Sequence, residues 1–168
     1  AAGADTAFSA TEAAQGLEEL ARAGVSANDS LGGGLTGALD LAAAGQLEVA
    51  EAAGIASTAM TQFELSGSQV PHIADLLAAG AGKAMGGVDE LGMALKQGGL
   101  VASQFGLSIE ETVGGLSAFA SAGLLGSDAG TSMKSMLLAL ANPAGETAQL
   151  LAELGINAYD ASGQFVGL

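Results

Sequence analysis

Cysteine and tryptophan are absent from these 168 residues, histidine and tyrosine occur once each, and proline occurs twice. Without cysteine there is no disulfide framework, no thiolate metal site and no cysteine nucleophile. Basic residues are almost as scarce. Arg22, Lys83, Lys96 and Lys134 stand singly against 18 acids, for a net charge of −14. Neutralising nucleic-acid phosphates takes clustered Lys and Arg, so a nucleic-acid-binding role is excluded, as is a basic amphipathic helix lying on a membrane. The longest uncharged run lies between Glu111 and Asp128 and is interrupted by Gly114, Gly115, Gly123 and Gly126. It falls short of the roughly 18 apolar residues that a membrane span requires. The opening residues Ala1-Ala2-Gly3-Ala4-Asp5 have neither the basic flank nor the apolar core of a signal peptide. With no initiator Met and an abrupt stop at Gly167-Leu168, the sequence reads as an excised piece of a longer polypeptide.

What is present is aliphatic. Hydrophobic residues make up 49% of the chain but aromatics only 4%, so Ala and Leu dominate. Both lead the helix propensity scale, whereas strands favour β-branched and aromatic residues. The composition predicts an all-α protein of thin, closely packed helices, kept soluble by its acidity.

Glycine, usually beside Ser, Asn or Asp, punctuates the chain every 15 to 20 residues, which predicts about eight short helices in helix–loop–helix units. Ser9-x-x-Glu12 and Ser108-x-x-Glu111 have capping-box spacing, and Ser26-x-x-Asp29 opens another segment. The first helix carries Leu17, Leu20 and Ala21 on its apolar side and ends at Gly24. Gly32-Gly33-Gly34 weakens the second before Leu35, Leu39 and Leu41. The third, from about Leu47 to Phe63, turns Val49, Ala52, Ala53, Ala56 and Met60 inward. Ser68 is the expected cap of the fourth, placing Pro71 at its third position, with Ile73, Leu76 and Leu77 buried. Asp89 and Glu90 begin the fifth, where negative charge suits the helix dipole, and Gly98-Gly99 is expected to break it. The sixth runs through Leu116 and Phe119 to Gly123. Ser127 or Asp128 should cap the seventh, whose core side is Met133, Met136, Leu137 and Leu140, and Asn142-Pro143 stops it. The eighth carries Leu150, Leu151 and Leu154 and ends at Gly155. Residues 156–168 form an extended, hairpin-like tail.

Two internal echoes accompany this pattern. Glu12 to Gly24 aligns without gaps on Glu111 to Gly123, and Gln62-Phe63-Glu64-Leu65-Ser66 on Gln104-Phe105-Gly106-Leu107-Ser108. Duplication of a helix–loop–helix unit is one explanation, and the resemblance of caps in any Ala-rich helical chain is the other.

Groups for chemistry are few. A lone His such as His72 is ordinarily a solvated or hydrogen-bonded one, and Asp75, one turn on, could orient it, but no third member of a catalytic set is apparent. The acid pairs Glu18-Glu19, Asp89-Glu90 and Glu110-Glu111 are adjacent in sequence, so they point to different helix faces and suit no two-carboxylate site. No Gly-rich stretch is followed by Gly-Lys-Ser/Thr, and Asp160-Ala161-Ser162-Gly163 is too sparse for a calcium loop. The sequence therefore offers no catalytic, metal or cofactor-binding residues and is read as non-enzymatic.

The run from Ala122 to Pro143, with Gly126-Ser127-Asp128-Ala129-Gly130-Thr131, Lys134 and Asn142-Pro143, resembles the core domain of phage tail tape measure proteins. Leu154-Gly155-Ile156, Tyr159-Asp160 and Gly163-Gln164-Phe165 follow in the same order. Upstream, Phe63-x-Leu65-Ser66 and Phe105-x-Leu107-Ser108 add to it, so the resemblance covers about Thr11 to Leu168 as one helical domain. Lys134 stands where Arg is more usual, and the glycines at 86–87 and 98–99 are in excess of the pattern. The resemblance implies a structural virion protein of the tail lumen, made in the host cytoplasm, that templates tail tube assembly and length and leaves during DNA ejection. It implies tail tube, tail tip or assembly chaperone proteins as partners, with self-association a further one. It carries no catalytic residues into this region. A helical module that contacts the membrane at ejection is the alternative. Drawn out as one helix the chain would span ~250 Å at ~1.5 Å per residue. Folded, its radius of gyration would be ~15 Å, and the frequent glycine stops favour this form, that of an assembly or docking head.

Overall fold

Hydroxyl and carboxylate caps start the helices where the spacing predicts. In a computed structural model, which describes residues 8–83, 85–141, 143–155, 157–160 and 165–166, Ser9 and Ser108 both close capping boxes with Glu12 and Glu111. The resulting helices are α1 (Ala10–Arg22), α2 (Leu35–Gly45), α3 (Val49–Gln62), α4 (Val70–Lys83), α5 (Val88–Gln104), α6 (Ile109–Ser121), α7 (Gly126–Ala141) and α8 (Glu146–Glu153). Ser26 caps a short turn, Ala27–Asp29, that continues through a π-turn, Ser30–Gly34, into α2. All-α architecture is therefore what this composition gives.

One connector recurs through the chain. A residue with positive φ ends the helix, and the apolar residue after it returns its N–H to a carbonyl five positions back, leaving few helix-end carbonyls unpaired. Gly24, Gln46, Glu64, Gly106 and Gly123 take the positive φ. Val25, Leu47, Leu65, Leu107 and Leu124 donate to the carbonyls of Leu20, Ala42, Met60, Ala102 and Phe119 at 2.9–3.1 Å. Because the same joint recurs, the elements recur: α1, α3, α5 and α7 begin at residues 10, 49, 88 and 126, at intervals of 39, 39 and 38.

The helices consequently stack as hairpins in two layers, the arrangement of an α-solenoid. In the odd layer Gly16 of α1 lies on Val49 of α3, Ile55 and Gln62 of α3 lie on Gly92 and Gly99 of α5, and Gly130 of α7 lies on Ala94 and Gln97 of α5. Positions rise together along each pair, so these helices run parallel. In the even layer Gly37 of α2 meets Pro71 of α4, and Gly80 of α4 meets Val113 and Ser117 of α6. Between the layers sits a core of Leu20, Leu39, Leu41, Ile73, Leu77, Leu95, Leu116, Met133 and Leu137, filled in by fully buried alanines.

Several sequence expectations are corrected by packing. Gly98-Gly99 does not break α5, which runs through it; a Cβ at Gly98 would lie 2.7 Å from the Gly130 carbonyl oxygen, so Gly98 admits the α7 backbone, while Gly99 makes room for the Gln62 side chain of α3. Ser66, not Ser68, caps the fourth segment, because a 3₁₀ turn, Gly67–Gln69, precedes α4 and the Ser66 N–H donates to Gln69 Oε1 at 3.2 Å. Ser127 and Asp128 lie inside α7, whose first residue, Gly126, has φ +54° and whose next turn is closed by Ala129 N–H on the Leu125 carbonyl. Ala21, expected on the apolar stripe of α1, is exposed. At the tail Tyr159 and Phe165 form an antiparallel bridge, and the Phe165 ring meets Phe105 edge-on with centroids 5.8 Å apart. The rest of the expected hairpin, including Ile156 and residues 161–164, and the Asn142 stop lie outside the described residues.

The α5–α7 approach generates a paired test. Gly130→Ala should destabilise by about 1–3 kcal/mol, the usual cost of overpacking, whereas Gly114→Ala on open α6 surface should stabilise by about 0.5–1 kcal/mol; urea unfolding monitored by circular dichroism measures both. Glu64, held at φ +54°, is the strained version of the connector. Replacing it with Gly should raise stability by about 0.5–1 kcal/mol, which corresponds to a few degrees in melting temperature at this size.

Candidate interaction surfaces

The groups that could carry chemistry are dispersed by the stacking. His72 sits half-exposed in the first turn of α4, and its Nε2 is 2.7 Å from Glu110 Oε1 in the first turn of α6. Its partner is thus Glu110 of the neighbouring even helix rather than Asp75 of its own. This hydrogen bond is the largest cause holding the Glu110 carboxyl below its ordinary range, helped by backbone hydrogen bonding. Glu12 is lowered in the same way by its capping hydrogen bonds to Ser9. Glu18 and Glu19, expected to diverge, both reach Arg22, at 2.6 Å each, because i+4 and i+3 positions flank one side chain. Among the described residues no three His, Asp or Glu gather in a way that could hold a metal ion.

The surface instead offers shallow depressions. One of ≈ 440 Å³ lies between α1 and α3, walled by Glu19, Arg22 and Ala23 and floored by Gly54, Ser57 and Thr58. A second, of ≈ 370 Å³, lies on the other side of α3 and shares Gly54 and Thr58, with Asp89, Met93 and Lys96 of α5 as its far wall. A third, of ≈ 460 Å³, opens where the end of α7, α8 and the tail meet, around Leu140, Leu151 and Tyr159. None of these was foreseen from sequence, because each depends on which helices become neighbours. The 42-residue echo between the ends of α3 and α5 was the available signal for that stacking. The other echo joins α1 of the odd layer to α6 of the even layer, and so reflects the shared cap and connector.

Comparison with known proteins agrees with a scaffold of this kind. The model of the phage-related minor tail protein family matches residues 1–168. The chain belongs to that family. It is 38% identical over 166 residues to the tape measure protein of Pneumococcus phage Dp-1, covering 99% of this chain and 14% of that protein. It is 33% identical over 161 residues to the probable tape measure protein of Escherichia phage P2, covering 96% of this chain and 20% of that one. This segment of a phage minor tail protein thus spans a seventh to a fifth of the relatives it matches. No solved structure matches it. As tail proteins, members of the family are virion components and work among other tail proteins. The membrane-contacting alternative gains no support, since among the described residues no helix is long and apolar enough to cross a membrane.

The His72–Glu110 pair sets a pH dependence. Glu110 is depressed when folded, so its contribution is present above its unfolded pKa, near 4.5, and is lost as pH falls through the lower folded value. Both partners are 51% exposed, and solvent screening keeps the pair under about 1 kcal/mol. Wild type should therefore exceed Glu110→Gln slightly in melting temperature at pH 6, and the gap should close below pH 4; thermal melts across that range check it.

Proposed function

We propose that this chain is a folded, non-catalytic segment of a phage tape measure protein. The full protein, in this reading, is assembled in the host cytoplasm, templates the tail tube around itself, sets tail length and leaves the tube as DNA is ejected. Tail tube, tail tip and assembly chaperone proteins are its natural partners. The observation that carries the proposal is similarity along nearly the whole chain to two proteins named as tape measures.

The fold refines the role. The longest helix, α5, has 17 residues, or ~25 Å at ~1.5 Å per residue. Four odd helices stacked at 8–10 Å spacing extend only ~30 Å between the outer axes, against the ~250 Å of a continuous helix. This segment therefore acts as an assembly or docking head, and its contribution to ruler length is minor.

Electron microscopy of phage carrying an in-frame deletion of the segment tests the assignment. Absent or unregulated tails are expected. Tails shortened by ~250 Å, the length at ~1.5 Å per residue, would show it to be extended ruler, and normal infective tails would remove the role altogether.

A further inference from the structure

We propose that the Glu64 carboxylate, on the connector between α3 and α4, is a contact for a lysine or arginine of another tail protein. This rests on the tape measure reading above. Glu64 is held at φ +54°, where a residue with a Cβ is strained and glycine is not. Gly24, Gly106 and Gly123 fill the same place in three other connectors. Gly106 is the direct comparison, because Gln62-Phe63-Glu64-Leu65-Ser66 aligns on Gln104-Phe105-Gly106-Leu107-Ser108. Both joints close alike, with the Leu65 N–H on the Met60 carbonyl at 2.9 Å and the Leu107 N–H on the Ala102 carbonyl at 3.1 Å. One joint, built twice, takes glycine once and glutamate once, and glutamate is the costlier residue for its backbone. Gln46 shares the positive φ, but no aligned segment shows glycine in its place.

Nothing inside the chain offsets that strain. Glu64 is exposed, and among the described residues no ion pair or side-chain hydrogen bond engages it. It lies just past the carbonyl end of α3, where negative charge opposes the helix dipole. The start of the next segment is served by another group, since the Ser66 N–H donates to Gln69 Oε1 at 3.2 Å. Strain kept at an exposed position without an internal partner marks a side chain that acts outward.

The connector also holds this group in place. Phe63 and Leu65, on either side of it, pack against the core. The Glu64 N–H donates to the Thr61 carbonyl at 3.4 Å. A carboxylate projected from so fixed a backbone needs little further ordering when it is bound. Its complements are ammonium and guanidinium groups, which give it charge-assisted hydrogen bonds. A second copy of this chain is a poor source of them, with four cations against 18 acids, so the partner is a different protein with a basic surface.

Substitutions in the full-length tail protein of the phage, with melting curves of this chain beside them, test the proposal. Glu64→Gly should raise the melting temperature by a few degrees and yet lower plating efficiency about tenfold or more, with fewer complete tails in electron micrographs. Glu64→Gln, which keeps the length of the side chain and removes its charge, should lower plating as well. Glu64→Asp, which keeps a carboxylate and enters the left-handed region more readily, should retain most of it. Gly114→Ala, stabilising on the open surface of α6, should plate normally, which separates the loss from added stability. Normal plating by Glu64→Gly and Glu64→Gln, or a loss in Gly114→Ala equal to theirs, would overturn the proposal. Deletion of the whole segment probes the tape measure role by itself. Defective tails from the deletion beside normal plating of both Glu64 variants would sink only the contact, whereas normal tails from the deletion would sink the role.

Discussion

With no tryptophan and few aromatics, each helix of this protein has little apolar area to bury, and the stack holds together only if helix axes come close. Dispersion between packed atoms falls off steeply with a gap of even an ångström, so short separation compensates for small side chains. The α5–α7 crossing shows how this is reached. Gly98 and Gly130 present backbone to backbone, and Ala94 and Ala129 are buried beside them. The same device recurs at Gly16 against Val49 and at Gly92 against Ile55. Glycine lowers intrinsic helix stability at each place, and the packing it admits outweighs that loss.

Close packing of parallel helices also demands that every hairpin return at the same height. The repeated connector provides this, because a positive-φ residue and a five-residue-back hydrogen bond fix both where a helix ends and where the next begins. Pro71 illustrates the coupling between joint and stack. It sits where α4 leaves its 3₁₀ turn, and its ring lies against Gly33 and Gly37 of the preceding hairpin. Gly33, within the triple glycine that weakens the second segment in sequence, is thus part of the surface on which α4, the second helix of the next hairpin, rests.

These properties bear on the tail protein's role. The chain's acidic residues lie mainly on outer helix faces and at helix N-termini, where they keep an aliphatic stack soluble and repel the phosphate backbone. A solenoid presents continuous surfaces rather than an enclosed cleft. The Phe105–Phe165–Tyr159 contacts draw the tail back onto the α5–α6 joint, so the last described residues belong to the same body.

Helix content, most caps and the buried faces of α3 and α7 were legible in the sequence, because capping and 3.6-residue periodicity are local and each is written within a few neighbouring residues. The family likeness was legible for the same reason, in ordered short motifs. Misread were the features whose cause lies in another element: Gly98-Gly99 as a break and Ser68 as a cap. A glycine that stops a helix and one that admits a neighbour's backbone are the same letter, and only the partner across the gap distinguishes them. The pairing of His72 with Glu110, the parallel order of the odd helices and the depressions on either side of α3 arise between residues some 30 to 40 positions apart. Local sequence fixes helices, but which faces meet is decided by the joint packing of all of them.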